Sequence, residues 1–198
     1  MSQSFFFCEV VDGISDLLRE VEHKHSKRSA DELLALNRTA FAIRLQALLA
    51  EYGISDSVLW DPVWQIMTGV KPKSNFALRW HMDPLNDDLE GACNHPVVGG
   101  AFHVLVYTQV EQQGGQLQIA LDRQNVPFDQ LRPNEPDVKS CITFDVCRDM
   151  VVVFSEDQLH RVLPLTGKGT RVSVNISCMS PSIRTATVFN YCVHSVSD

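Results

Sequence analysis

Residues 77–87 read ALRWHMDPLND and place His81 and Asp83 two positions apart, in chain that otherwise has the composition of a β-strand. Strand side chains alternate between two faces, so residues i and i+2 point the same way. Arg79, His81 and Asp83 therefore share one face of the predicted strand. An imidazole and a carboxylate that aim at one point face either water or a bound group that needs both of them.

The chain downstream of this stretch adds residues of matching chemistry. His160 follows the apolar run MVVVFS, and Arg171 follows His160 by eleven residues, with Ser173 on the same strand face as Arg171. Two imidazoles and one carboxylate on one face of a metal leave open positions, which suits a non-haem Fe(II) that binds a cosubstrate and O₂ together. An arginine holds a carboxylate bidentately, and a serine hydroxyl adds a further donor.

The stretch TRVSVNIS, residues 170–177, alternates strictly between polar and apolar side chains from Arg171 to Ser177. The polar positions are Arg171, Ser173, Asn175 and Ser177. Such a strand belongs either to an antiparallel sheet with one solvated face or to the polar wall of a cavity inside a barrel. Alternation alone leaves both interpretations open.

Composition sets the outer limits on function. The chain has 198 residues, a formal net charge of -7 and a pI near 5.4, so it lacks the basic balance typical of proteins that bind nucleic acid or anionic membranes. No apolar run approaches the ~20 residues of a membrane span. The N-terminus has no cationic start of a signal peptide. We therefore expect a cytoplasmic protein, whose six cysteines are reduced, buried thiols.

The order of patterns predicts one domain over 1–198, with a helical N-terminal support over 1–55 and a β-rich core over 56–198. A helix is expected from Ser29 to Tyr52, with Ser29 and Glu32 as a capping box and Gly53 as its stop. A shorter helix is expected over 15–23. The predicted strands are 63–67, 76–82, 101–110, 116–121, 140–146, 149–155, 160–165, 170–179 and 185–193. Short strands after a helical start indicate a mainly β sandwich or barrel with helices packed on one side.

Taken together and in order, these motifs resemble the Fe(II)/2-oxoglutarate-dependent oxygenases, and within them the prolyl-4-hydroxylase-like branch. The resemblance covers about residues 75–180. It rests on HMD at 81–83, on LHRVLPLTGKGTRVS at 159–173, and on VYTQVEQQGGQLQI at 106–119 with its tyrosine and Gly-Gly turn. The fold that it implies is a double-stranded β-helix, the cupin-like jelly roll.

The resemblance also implies roles for particular residues. By position, His81, Asp83 and His160 are the metal ligands and catalytic centre, and Arg171 with Ser173 binds the distal carboxylate of 2-oxoglutarate. Tyr107 and Arg79 are candidates to line the cosubstrate site. The alternatives are that Tyr107 is an ordinary buried tyrosine with a hydrogen-bonded hydroxyl and that Arg79 pairs with a surface acid. The implied cofactors are Fe(II), 2-oxoglutarate and O₂, with ascorbate as a supporting reductant. Because Asp83 occupies the ligand position that halogenating relatives leave open, halogenation is not expected.

The implied activity is hydroxylation or desaturation of a small molecule, such as an amino acid or a natural-product intermediate. Hydroxylation of a peptidyl or protein side chain, a non-catalytic cupin-like binding protein and a zinc-dependent hydrolase remain as alternatives. We expect no nucleic-acid or membrane partner, and a monomer or homodimer. The Pro-rich stretch 122–139 is predicted to be a lid at the site. His103, which alternates with Tyr107, faces the cavity or is an ordinary core histidine.

Overall fold

The computed structural model describes residues 5–21, 29–69, 78–81, 100–111, 113–121, 137–155, 158–180 and 182. The helices are α1 (Ile14–Arg19), α2 (Ala30–Leu36) and α3 (Ala40–Glu51). The strands are β1 (Phe6–Val10), β2 (Val58–Gly69), β3 (Leu78–His81), β4 (Gly100–Val110), β5 (Leu117–Ala120), β6 (Cys141–Phe144), β7 (Met150–Ser155), β8 (His160–Val162) and β9 (Gly169–Ser180).

The strands form two antiparallel sheets. The major sheet has the order β1-β7-β4-β9-β2, and the minor sheet has the order β3-β8-β5-β6. Neighbours in these sheets are distant in sequence, so the chain crosses repeatedly between strands, as in a jelly roll. The predicted fold class, mainly β with N-terminal helices and a double-stranded β-helix, is confirmed.

Strand alternation divides the core into two layers. Phe102, Val104 and Val106 of β4 pack with the helices on the outer face of the major sheet, where Phe41 and Leu45 of α3 are fully buried. The intervening residues of β4 point the other way and meet apolar side chains of the minor sheet. This second layer contains Leu105, Tyr107, Leu117, Ile119, Val152, Phe154 and Val162. The helices therefore support one sheet from outside and leave the space between the sheets for a site.

The N-terminal helices differ from the prediction in one place. The single helix expected from Ser29 to Tyr52 is two helices, because Thr39 caps α3 by accepting a hydrogen bond from the Ala42 amide. Asn37 stabilises the break, since its amide donates to Leu33 and Leu59 carbonyls and its side-chain oxygen accepts from the Leu59 amide. The capping box of Ser29 with Glu32 is confirmed.

Four further sequence predictions need correction or fall outside the described residues. The helix expected over 15–23 is the shorter α1, and the segment expected to be helical also contains β1, which pairs with β7 at the edge of the major sheet. The strand predicted at 185–193 lies outside the described residues, as does most of the loop 122–139.

The cysteines follow the prediction only in part. None of the described cysteines forms a disulfide, but Cys141 and Cys147 are exposed whereas Cys8 and Cys178 are buried. Burial raises the pKa of the Cys178 thiol well above its usual value. The expectation of buried thiols is therefore wrong for Cys141 and Cys147.

No single helix in the described ranges is long and apolar enough to cross a membrane. By length and composition α2 and α3 could do so only as a pair, and the two are bent by 68° from each other.

Candidate active site

Two histidines face each other on the inner side of the minor sheet. His81 ends β3, and His160 begins β8 directly opposite, in the antiparallel register of these two strands. Directly opposed residues place their side chains on the same face of a sheet. The two imidazole rings lie with their centroids 4.2 Å apart, and His160 is only 3% exposed. The sheet thus brings together two residues that are 79 positions apart (160 − 81) in the sequence.

The orientation of the His160 ring is set by the residues just before β8 and by a neighbouring aromatic ring. Its Nδ1 lies 3.0 Å from the backbone carbonyl of Gln158. A carbonyl can only accept, so Nδ1 carries a proton, and in the neutral form of the ring the lone pair lies on Nε2. Gln158 is itself buried and donates to the Ala120 carbonyl, and the Phe154 ring lies 4.5 Å from the His160 ring. His160 is therefore held in a geometry that presents Nε2, as metal-binding histidines generally are.

A buried arginine lies on the facing sheet. Arg171 of β9 is 1% exposed, and it donates from NH1 to the Gly115 carbonyl at 2.8 Å and from NH2 to the Tyr107 hydroxyl at 3.0 Å. Both acceptors are neutral, so they orient the guanidinium without cancelling its charge. Burial raises the pKa of the Tyr107 hydroxyl, and the nearby Arg171 charge only partly offsets this effect. Tyr107 is consequently a neutral phenol at physiological pH.

The serine next to this arginine is also enclosed. Ser173 pairs with Tyr107 across β9 and β4, and its side chain is 1% exposed. Its Oγ has no hydrogen-bond partner among the described residues. A buried hydroxyl without a partner is costly, and it can accept or donate a hydrogen bond. At Arg171 and Ser173, the polar face of β9 is thus a wall of the interior, and the alternative of a solvated face is wrong there.

Several predicted site residues stay outside this geometry. Asp83 lies outside the described residues, and so does most of the expected lid over 122–139. Arg79 lies on β3, two residues before His81, but the description does not extend to its side chain. Within the described residues, no group of three histidine, cysteine, aspartate or glutamate side chains could hold a metal ion. The three-ligand centre therefore remains a prediction, and the structure describes the positions of its two histidines only.

Three residues that contribute to this site were not predicted. They are Gly115, whose carbonyl holds Arg171, Gln158, which orients His160, and Phe154, which packs on His160. The Gly-Gly turn was visible in the sequence, but its contact with Arg171 was not. The sequence left open whether His103 faces the cavity or belongs to the core. In the structure His103 is buried, and its ring stacks on the Phe154 ring with the centroids 5.7 Å apart.

Comparison with known proteins gives a fold and no close relative. No protein-family model matches the sequence, and no curated protein matches it. Among solved structures, the non-haem α-ketoglutarate-dependent epimerase SnoN from nogalamycin biosynthesis superposes with a TM-score of 0.58 at 13% identity, over 89% of this chain and 78% of SnoN. The chain has the fold of the Fe(II)/2-oxoglutarate-dependent oxygenases.

Two other solved structures are similar to this chain in fold. HygX from Streptomyces hygroscopicus, with nickel and 2-oxoglutarate bound, matches with a TM-score of 0.50 at 15% identity, over 88% of this chain and 81% of HygX. EvdO2 from Micromonospora carbonacea var. aurantiaca, complexed with 2-oxoglutarate, matches with a TM-score of 0.50 at 14% identity, over 76% and 64%. The resemblance that the sequence predicted is confirmed at the level of the fold.

The chain is shorter than some proteins with this oxygenase fold. It spans 62% of AviO1 from Streptomyces viridochromogenes Tue57 and 56% of an oxidoreductase of the 2OG-Fe(II) oxygenase family from Burkholderia pseudomallei.

Proposed function

We propose that this protein is an Fe(II)- and 2-oxoglutarate-dependent oxygenase. His81, Asp83 and His160 would hold the metal, and Arg171 with Ser173 would bind the distal carboxylate of the cosubstrate. The observation that carries the proposal is the facing pair of His81 and His160, whose rings lie 4.2 Å apart on the inner face of an oxygenase fold. Solved proteins of this fold bind iron or nickel together with 2-oxoglutarate.

The donor set fits a non-haem iron. Neutral imidazoles are good ligands for Fe(II), and the Nδ1–H of His160 is already committed to the Gln158 carbonyl. Addition of the Asp83 carboxylate would complete a two-histidine, one-carboxylate set with positions left for other ligands. When bound, Fe(II) and 2-oxoglutarate would activate O₂, which is the oxidant, since oxidative decarboxylation of the keto acid to succinate and CO₂ supplies two electrons and oxidation of the substrate supplies the other two.

The arginine end fits a dicarboxylate. Arg171 is buried and pre-oriented by Tyr107 and Gly115, so little side-chain freedom is lost when a carboxylate binds. Ser173 adds a buried hydroxyl next to it on β9. Exclusion of water from this end strengthens the contact between the guanidinium and an anion. Arg79, the remaining cosubstrate residue of the proposal, stays a sequence-based assignment.

The substrate is proposed to be a small molecule that undergoes hydroxylation or desaturation. The composition carries no basic patch for nucleic acid, and SnoN acts in the biosynthesis of a natural product. A peptidyl or protein side chain is the competing substrate class. A cytoplasmic location, assembly as a monomer or homodimer, and a lid over 122–139 also stay predictions.

The test is release of succinate from 2-oxoglutarate under Fe(II) and air. We expect the wild type to turn over 2-oxoglutarate slowly without substrate, His160→Ala to be inactive, and Arg171→Leu to need far more 2-oxoglutarate. Arg148→Leu is the matched control, because Arg148 is an exposed arginine that contacts Asp16 on the outside of the molecule. Full activity of His160→Ala would contradict the metal assignment.

The product is then sought in a metabolite pool by mass. A gain of one oxygen indicates hydroxylation, and a loss of two hydrogens indicates desaturation. Separation by chromatography is also required, because a change of configuration leaves the mass unaltered. A peptide library is assayed in the same way. Oxidation of a peptide, with no oxidised metabolite, would assign the substrate to the competing class of peptidyl or protein side chains.

A further inference from the structure

Among the described residues, the backbone of the strand that carries His81 is bonded to one neighbouring strand. β3 has four residues and lies at the edge of the minor sheet, where β8 is its hydrogen-bonding neighbour. Its registered pairs are Leu78 with Val162 and His81 with His160, and the register shifts between them. Within the described residues, the backbone joins β3 to one neighbouring strand, with an irregular register. Side-chain contacts between the two strands therefore add to the placement of His81.

Such a contact lies on the opposite face of the same two strands. Trp80 precedes His81 on β3, and Arg161 follows His160 on β8. The Arg161 guanidinium carbon lies 4.6 Å from the centroid of the Trp80 ring, and Trp80 is 5% exposed. A histidine pair on the inner face is thus backed, one residue away on each strand, by a cation–π pair on the outer face.

Arg161 is in turn anchored to the rest of the minor sheet. Its Nε donates to the side-chain oxygen of Gln118 on β5 at 2.6 Å, and the Gln118 amide donates to the Thr143 hydroxyl on β6 at 2.8 Å. Gln118 is directly opposite both Arg161 and Thr143 in the registers of these strands. A continuous ladder of Trp80, Arg161, Gln118 and Thr143 consequently crosses all four strands of the sheet on its outer face.

We infer that Trp80 and Arg161 are positioning residues that hold His81 opposite His160. The ladder connects the edge strand β3 to the inner strands of the sheet, so that the separation of the two imidazoles is set before a metal arrives. This inference rests on the proposed function, because it takes His81 to be a metal ligand. It adds that metal binding requires Trp80 and Arg161, which neither contact the metal nor face the site.

The test is the affinity for Co(II) alone, followed by its visible absorption, together with the melting temperature of each variant. Arg161→Met removes the cation and the bond to Gln118 but keeps an unbranched apolar side chain that can still pack against Trp80. We expect it to bind Co(II) about tenfold more weakly, the lower end of the loss seen when groups that orient a metal-binding histidine are removed. Arg161→Lys keeps a cation over the ring and should recover part of this loss.

The sign of the effect separates positioning from simple electrostatics. Removal of a positive charge near a cation site should strengthen Co(II) binding, whereas loss of positioning should weaken it. Thr143→Val is the matched control, because it breaks the exposed far end of the ladder and leaves the contact of Arg161 with Trp80 in place. It should bind Co(II) as the wild type does.

A second variant keeps the inference falsifiable if one protein is unstable. Trp80→Leu should weaken Co(II) binding by a similar factor. The double variant with Arg161→Met should bind Co(II) little more weakly than either single variant, since both changes remove the same contact. Wild-type Co(II) affinity in Arg161→Met would overturn the inference and leave the metal site standing. Failure of the wild type to bind Co(II) would overturn both the inference and the proposed metal site.

Discussion

Arg171 lies over the ring of Tyr107, with its guanidinium carbon 4.8 Å from the ring centroid, and also donates to the hydroxyl of the same residue at 3.0 Å. Both side chains are almost completely buried. One tyrosine therefore supplies a neutral acceptor and a π face to the same cation, which holds the guanidinium in a defined plane. In the proposed function, the guanidinium held in this plane binds a carboxylate of 2-oxoglutarate.

Tyr107→Phe tests this relationship, because it removes the hydroxyl and keeps the ring. Hydrogen bonds to charged groups contribute about 1.5–3 kcal/mol, so we expect the 2-oxoglutarate concentration needed for half-maximal succinate release to rise roughly tenfold or more. Tyr52→Phe is the control, since it removes a tyrosine hydroxyl that bonds Glu9 on the helical side of the protein. Equal 2-oxoglutarate requirements in the two variants would count against the role of Tyr107.

Arg171→Leu should sharply weaken 2-oxoglutarate binding while leaving the metal in place. Removal of a buried, charge-assisted contact costs about 2–5 kcal/mol, which corresponds to at least a tenfold loss of affinity. Calorimetric titration of 2-oxoglutarate into the anaerobic, Ni(II)-loaded variant measures the loss, and metal content measured in parallel serves as the control. Unchanged affinity would remove Arg171 from the site.

Ser173→Ala should have opposite effects on the empty and the loaded protein. The Ser173 hydroxyl is buried without a partner among the described residues, so its removal should leave the free energy of unfolding unchanged or increase it. If the hydroxyl binds 2-oxoglutarate, the same change should weaken that binding. Urea unfolding and calorimetric titration measure the two effects, and a variant that is destabilised but binds normally would assign Ser173 to packing alone.

Gly114→Ala should displace the neighbouring Gly115 carbonyl, which accepts a hydrogen bond from Arg171. Gly114 has φ +80°, and a Cβ there would lie 2.5 Å from the Pro164 carbonyl oxygen and 2.7 Å from the Thr166 nitrogen. The turn would have to move, and with it the neighbouring Gly115 carbonyl. Gly53→Ala is the matched control, with φ +78° and open space around its Cβ.

The comparison separates backbone strain from the clash. Gly53→Ala should cost about 1–2 kcal/mol of unfolding free energy for a left-handed alanine and should not change the 2-oxoglutarate requirement. Gly114→Ala should cost more and should also raise that requirement. Equal losses in stability, with no effect on 2-oxoglutarate, would show that Gly115 is not an essential support of Arg171.

Asp149 makes stability depend on pH. Partial burial acts to raise the pKa of its carboxyl, but hydrogen bonds from Ser15, with smaller contributions from Arg148 and Gly13, outweigh it and hold the pKa below 3.8. A carboxyl with a lowered folded pKa stabilises the protein at pH values above its unfolded pKa, and this contribution is lost as pH falls through the folded pKa. Urea unfolding between pH 6 and about pH 2.5 follows it.

Asp149→Asn is the suitable variant, because asparagine tolerates the positive φ of 66° at this position. The difference in unfolding free energy between wild type and variant should be largest near neutral pH and should shrink in acid. A difference that stays constant with pH would show that the charge of Asp149 does not contribute.

The sequence predicted most of the sheet because alternation is a local property. The strands expected at 101–110, 149–155 and 170–179 correspond to β4, β7 and β9 within a residue or two at each end. What it missed depends on distant partners. Asn37 breaks the long helix by bonding Leu59, and β1 becomes a strand by pairing with β7, and neither contact is visible in a local pattern.

The site shows the same division. The shared face of Arg171 and Ser173 followed from a period of two, whereas their burial depended on Tyr107 and on the facing sheet. His81 and His160 were recognised as a pair by motif, but their opposition across β3 and β8 depends on a register that no local pattern encodes. The role of Gln158 could not be predicted, because it acts through its backbone carbonyl, which every residue has.

The most direct test of the central claim is a crystal structure of the anaerobic protein with Mn(II) and 2-oxoglutarate, with the metal located by anomalous scattering. The account predicts one strong peak in contact with Nε2 of His160, with His81 and with the Asp83 carboxylate. The distal carboxylate of 2-oxoglutarate should meet Arg171 and Ser173. A peak away from the two histidines, or an Asp83 carboxylate directed away from the metal, would contradict it.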